Sequence, residues 1–278
     1  MRNGSLKILY EDNHLISVIK PPGVLSQSDG SGEPDMLSIL SDDLALRHGK
    51  PGKAFVGLVH RLDRNVGGTM FFAKTSKGAS RASEDMRTGN FYKGYLAVSG
   101  KRLNAENEGY LKHRLEKNGR TNTVFESESG RDCLLYYRYI CPSKGNDGEE
   151  DCHIYFVIPI TGRTHQIRAQ FAFSGSPLLG DRKYGSAAGT SVAGTSAAGT
   201  GDRYSLGLWS FAASVRKTVD REDRIWTMSL PESGPWYSEG MLPEELIGFA
   251  DSGIWRDIME NIKKDPAGLM GRGEDYDG

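Results

Sequence analysis

The sequence predicts an α+β fold with a mixed, largely antiparallel central sheet flanked by helices. Two observations carry that reading. Strand-like runs outnumber helix-like ones, and most strands follow one another as hairpins across short polar turns.

Leu6, Ile8 and Tyr10 alternate, Glu11-Asp12-Asn13 turns the chain, and Leu15 to Ile19 continues as a second strand. Lys20-Pro21-Pro22-Gly23 ends it, because proline cannot donate to a ladder and glycine permits the turn. Met36, Leu37, Leu40 and Leu44 fall at helical spacing behind Asp35, a natural N-cap. Phe55 to Val59 and Thr69 to Ala73 read as strands, and Ser76 is expected to cap a helix that Gly89 stops. Phe91 to Val98 is a further strand. Residues 110–158 read as several antiparallel strands, around Thr121–Phe125, Leu134–Ile140 and Ile154–Ile158, with Gly145-Asn146-Asp147-Gly148 as the clearest turn. Residues 186–200 repeat a five-residue unit of Ser, Ala or Val, Ala, Gly and Thr three times, a flexible surface insertion by composition (186–201). Strands resume at Leu206–Ala212 and Ile225–Leu230. After Pro243 the apolar positions Leu246, Phe249, Ile254, Ile258 and Ile262 predict helix with a break near Gly253, and 271–278 reads as a disordered tail.

A length of 278 residues fits one large domain, or a catalytic domain with small additions. With 37% hydrophobic and 26% charged residues, the composition excludes a disordered chain. No run approaches the ~18 apolar residues of a membrane span, and no apolar segment of a signal peptide follows Met1. A cytoplasmic address without a membrane partner is therefore expected. Cys133, Cys141 and Cys152 show no Cys-x-x-Cys pairing and lack four ligands at metal spacing, so buried thiols in adjacent strands are expected rather than a metal site. Net charge is −1, but residues 1–185 hold 26 Lys and Arg against 21 Asp and Glu, and residues 186–278 hold 9 against 15. A basic front and an acidic back suit a protein that meets phosphate with one face.

Three segments carry chemistry. In Val59-His60-Arg61-Leu62-Asp63-Arg64-Asn65-Val66-Gly67-Gly68 a strand runs into a carboxylate flanked by two arginines, then into a glycine pair. Nearby positive charge favours the ionised carboxylate, which suits nucleophilic attack or stabilisation of a positive centre; a structural ion-pair turn is the alternative. In Pro159-Ile160-Thr161-Gly162-Arg163-Thr164-His165-Gln166-Ile167-Arg168 a strand passes through a turn into a helix whose Ile167 and Phe171 face the core. That anchor would hold Arg168 rigidly toward an acid, and Arg163 and His165 lie near the helix N-terminus, a phosphate-binding position. Phe91-Tyr92-Lys93-Gly94-Tyr95-Leu96-Ala97-Val98 puts aromatics and a lysine on a strand. An aromatic facing a cleft can stack on a base, worth about 1–3 kcal/mol.

Together these segments resemble the RluA-type RNA pseudouridine synthases. The resemblance rests on His60-Arg61-Leu62-Asp63-Arg64 with Gly67-Gly68, on Lys93-Gly94-Tyr95, on Thr161 to Arg168, on Pro177-Leu178-Leu179-Gly180-Asp181-Arg182-Lys183-Tyr184-Gly185, and on Ile8 to Asn13 with Lys20 to Val24, all in the family's order. It implies the pseudouridine synthase catalytic fold with an active-site cleft across the sheet. It implies isomerisation of specific uridines in tRNA or rRNA after base flipping, with no cofactor. Asp63 would be the nucleophile, Arg168 its basic partner, and Tyr95 the residue that stacks on the target base and is a candidate for proton transfer. Arg61 would fill the space left by the flipped nucleotide, and Arg163 and His165 would touch the RNA backbone. His60, Arg64, Lys93 and Ile167 complete the expected substrate-binding set. Asn65-Val66 departs from the commoner Thr-Ser or Val-Ser ahead of the final glycine. The catalytic domain is expected to span 1–240, with a helical extension and tail over 241–278 and no S4-type domain ahead of it. A monomer is expected, with RNA as its partner.

A glycoside hydrolase needs two carboxylates flanking the scissile bond, and Asp181 is the second one on offer. The His-Arg-Leu-Asp string lacks the Asp-Phe-Gly and the Gly-rich loop of a kinase. A catalytically silent RNA-binding protein or RNA chaperone on the same fold is opposed by the intact set of Asp63, Tyr95 and Arg168.

Overall fold

A computed structural model describes residues 6–49, 51–144, 151–185, 205–237 and 241–264. The expected Gly145–Gly148 turn, the repeat at 186–200 and the 271–278 tail lie outside them. The chain forms two compact units, one made of residues 1–93 and 209–230, the other of 94–208 and 231–277. Along the chain run β1 (Ile8–Glu11), β2 (Leu15–Lys20), α1 (Met36–Arg47), β3 (Gly57–Leu58), β4 (Gly67–Ala73), α2 (Ser76–Arg87) and β5 (Tyr92–Ser99). They are followed by β6 (Glu108–Asn118), β7 (Thr123–Glu126), β8 (Arg131–Lys144), β9 (Asp151–Pro159), α3 (Gln166–Phe173), β10 (Leu208–Arg216), β11 (Arg224–Met228), α4 (Glu244–Ser252) and α5 (Ile254–Lys264).

In the first unit the strand order is β1-β2-β4-β10, with β11 on β10 and β3 on β4. The β4–β10 pair is parallel, Trp209 facing Gly67 and Ser210 facing Gly68; the other pairs are antiparallel. All seven residues of β4 are buried, so this strand reads as a nearly continuous apolar run, as a strand covered on both faces should. Leu15, Phe71, Ala82, Phe91, Val215 and Ile225 pack into one core cluster. Buried polar side chains of the sheet pair with one another: Ser17 bonds Thr227 (3.0 Å), Thr69 bonds Ser229 (3.0 Å), and the Ser210 hydroxyl donates to the Thr69 carbonyl (2.8 Å). Asp35 caps α1 as predicted, accepting from the Leu37 and Ser38 amides. For α2 the cap is Thr75 rather than Ser76: its hydroxyl accepts from the Gly78 amide (3.1 Å), the N3 position that a capping side chain reaches. The Phe55–Val59 strand shrinks to the two residues of β3, and Phe55 is exposed.

The second unit holds the antiparallel order β5-β9-β8-β6-β7. Cys133 and Cys141 on β8 and Cys152 on the adjacent β9 are free and buried, as expected of thiols used for packing. The predicted break in the last helix falls at Gly253, whose φ of 70° ends α4 before α5 begins. Phe249 of α4 packs on Phe156 of β9, and Met259 of α5 lies over Gly94. The mixed, largely antiparallel sheet with five helices among the described residues is the α+β arrangement read from the sequence.

Candidate active site

In the first unit, Asp63 sits half-buried in the turn between β3 and β4. The backbone on either side of it is pinned by the segment after β2. The Ser26 hydroxyl donates to the Leu62 carbonyl (2.7 Å) and accepts from the Leu62 amide (3.0 Å). The Arg64 carbonyl accepts from the Gly23 amide (2.8 Å) and from the Lys20 ammonium (2.9 Å), and the Val66 amide closes the turn on the Asp63 carbonyl (3.0 Å). Behind the turn, a side chain at Gly67 would overlap the Trp209 ring and Pro22. At Gly68, where φ is +114°, it would overlap the Ser210 carbonyl. The glycine pair read from the sequence is thus required twice, by close approach and by backbone conformation.

Lys20 is the member of this site that sequence reasoning missed. It is fully buried and donates to the Pro21 and Arg64 carbonyls, 2.9 Å each. Burial pushes its ammonium down to about 7, against the upward pull of the Asp63 carboxylate and with a further push from Arg64. A lysine at a strand end ahead of Pro-Pro reads as solvated; only the sheet, buried on both faces there, gives it away.

The flanking residues divide by exposure. Arg61 is exposed and makes no ion pair among the described residues. Arg64 is exposed, with its Nε on the Gly23 carbonyl (3.0 Å) and its guanidinium on Glu33. His60, expected to face substrate, is instead turned inward. Its Nε2 accepts from the Phe71 amide (3.0 Å), its ring packs on Phe91 at 5.0 Å, and its buried Nδ1 has no hydrogen-bond partner among the described residues. Burial, with the Lys93 charge adding, pushes it down to about 3, so it stays neutral. Lys93 on β5 is half-buried, and desolvation lowers its ammonium below the usual lysine range.

In the second unit, Tyr95 on β5 is 8% exposed and lies opposite Val157 of β9. The turn into α3 is stitched by Gln166, whose carbonyl oxygen accepts from the Thr161 hydroxyl (2.8 Å) and the Arg163 amide (3.0 Å). Its amide donates to the Leu134 carbonyl (3.0 Å). His165 occupies the N-cap position with φ of 52° and makes no capping bond through its side chain. Its Nδ1 instead meets the Tyr184 hydroxyl at 2.9 Å. Arg163 is exposed, while Ile167 is buried with Phe171 in the core, as the four-residue spacing predicted. Arg168 is buried too, and the acid it addresses within its own unit is Asp181, gripped through Nε and Nη2 at 2.8 Å each. The Asp181 side chain is fully buried, which removes it as a free second carboxylate for a glycosidase.

Comparison with known proteins bears out the family resemblance. Residues 14–173 match the family model described as RNA pseudouridylate synthase. The chain is 33% identical over 191 residues to ribosomal large subunit pseudouridine synthase D of Xylella fastidiosa, covering 66% of this chain and 52% of that protein. It is 31% identical over 182 residues to ribosomal large subunit pseudouridine synthase C of Rickettsia typhi, covering 64% and 56%. The chain therefore spans about half the length of the curated relatives it matches. The solved structure of human RNA pseudouridylate synthase domain containing 1 superposes with a TM-score of 0.64 at 20% identity, covering 91% of this chain and 98% of that one, a likeness of fold. With more than half of its residues inside the family model, the chain belongs to the RNA pseudouridylate synthase family.

Proposed function

We propose that the chain isomerises uridine to pseudouridine in RNA, with Asp63 as nucleophile. The observation that carries the reading is the Asp63 turn, whose carboxylate is left half-buried while the backbone on both sides is fixed by Ser26, Gly23 and Lys20. Ribosomal RNA is the substrate class favoured by the names of the relatives, with transfer RNA the alternative.

The reaction breaks the N1–C1′ bond, rotates the base and rejoins it through C5, so it needs no redox partner. The uridine must first leave its stack, at a cost of a few kcal/mol that is smallest in a loop. Asp63 then attacks C1′ or assists elimination to a glycal, with Arg168 as its basic partner. Tyr95 stacks on the base and is the candidate for removing the C5 proton. Arg61, exposed beside Asp63, fits the role of filling the vacated stack; Arg163 and His165 at the start of α3 fit phosphate contacts. Residues 1–240 form the catalytic part in this reading and 241–278 its extension.

Asp63→Asn tests it. The variant should fold, bind RNA with affinity within about threefold of the wild type, and form no pseudouridine in a single-turnover assay on ribosomal RNA fragments. Turnover near the wild-type rate would remove Asp63 as the nucleophile.

A further inference from the structure

The site contains a carboxylate that the proposed reaction does not consume. Asp181 Oδ2 accepts from Arg168 Nε and Oδ1 from Arg168 Nη2, both at 2.8 Å. Oδ1 also accepts the Lys183 amide (2.9 Å) and the Tyr184 amide (3.1 Å). The carboxylate is itself built into a turn, since the Asp181 amide donates to the Leu178 carbonyl (3.2 Å) and the Gly185 amide to the Asp181 carbonyl (2.8 Å). Tyr184 belongs to the same turn. It is buried, its ring lies 5.3 Å from the Arg168 guanidinium carbon, and its hydroxyl meets both His165 Nδ1 (2.9 Å) and the Val124 amide (3.0 Å).

Resting on the pseudouridine synthase reading, we propose that Asp181 is the positioning residue for Arg168, fixing the direction of its guanidinium before RNA arrives. The geometry gives the reason. A guanidinium is planar with five donors; once two of them are held by one carboxylate, the plane is set and with it the line along which the other donors point. A point contact would leave the group free to turn. Tyr184 extends the arrangement to His165, so one short turn orients both Arg168, expected as the basic partner, and His165, expected to touch the RNA backbone. A buried carboxylate used for stability alone is poorly explained, because an apolar pair of similar volume would avoid the desolvation of two charges.

The test is a coupling experiment. Asp181→Asn should lower the single-turnover rate at saturating RNA by roughly 10–100-fold, with RNA affinity within about twofold of the wild type. In an Arg168→Lys background, where the fork is already lost, the same substitution should change the rate by less than about threefold. A folded Asp181→Asn protein with the wild-type rate would overturn the proposal, as would equal losses in both backgrounds or a loss confined to affinity. If Asp181→Asn does not fold, Asp181→Glu decides, since it keeps the charge but lengthens the arm by one methylene. A rate loss in the wild-type background that vanishes in Arg168→Lys supports the proposal, and an unchanged rate overturns it. Asp63→Asn is measured alongside. Activity there defeats the pseudouridine synthase reading, whereas an inactive Asp63→Asn with a fully active Asp181→Asn defeats only this inference.

Discussion

The two groups of candidate residues are held in different ways. In the first unit the proposed nucleophile is positioned by main chain: the Leu62 amide and carbonyl are fixed by Ser26, the Arg64 carbonyl by Gly23 and Lys20, the Val66 amide closes on the Asp63 carbonyl, and glycines let β10 close in. In the second unit the proposed cation is positioned by side chains, a carboxylate fork on Arg168 and a tyrosine shared with His165. Backbone aiming fixes where a carboxylate sits, whatever its oxygens touch. An arginine that only has to point can hand one edge to a partner.

Gly68→Ala strikes the main-chain design hardest. At φ of +114° with the Ser210 carbonyl in the way, alanine should cost about 3–5 kcal/mol by strain and displacement of β10. Urea unfolding measures it; a midpoint equal to wild type would show that the turn is not built on close approach. Arg168→Lys strikes the side-chain design. It keeps the charge and loses the fork, so stability should drop by only about 1–2 kcal/mol while the single-turnover rate falls roughly 10-fold or more. Comparable rates in the two proteins would reduce Arg168 to a structural group.

The smallest effect concerns Lys20. Its folded pKa of about 7 lies below the unfolded lysine value, so between the two the unfolded chain binds more protons and stability rises with pH. The cost of burying the charge is fully present below pH 7 and is relieved as pH climbs. Lys20→Met removes the titration, so wild type should gain about 1 kcal/mol relative to the variant between pH 6 and 8. A constant difference across that range would mean that the ammonium is not desolvated where it meets the Arg64 carbonyl.

Much of this was legible in the sequence. The Asp35 cap, the break at Gly253, the buried cysteines of β8 and β9 and the core-facing Ile167 and Phe171 all follow from local spacing and capping chemistry. Local signals failed where a distant partner decides. Thr75 and Ser76 are equally good caps on paper, but the threonine hydroxyl is the one that also meets His14 at 2.9 Å. His60 reads as a polar motif residue until the Phe71 amide and the Phe91 ring claim it. Arg168 was expected to point at an acid, Asp63; the acid it grips within its own unit is Asp181, thirteen positions on, which in the sequence is visible only as an acid after a turn.

The position of β10 in the first unit also sets a schedule. The Thr69 hydroxyl donates to the Phe211 carbonyl across 142 residues of chain, and Trp209 and Ser210 of the same strand back the Gly67-Gly68 pair. At roughly 5–20 residues per second of synthesis, the ribosome takes about 7–28 s to make that wall after it has made the turn. The Asp63 loop is thus translated well ahead of the strand that completes it, and a nascent chain stalled anywhere in that interval carries the carboxylate without the strand that aims it.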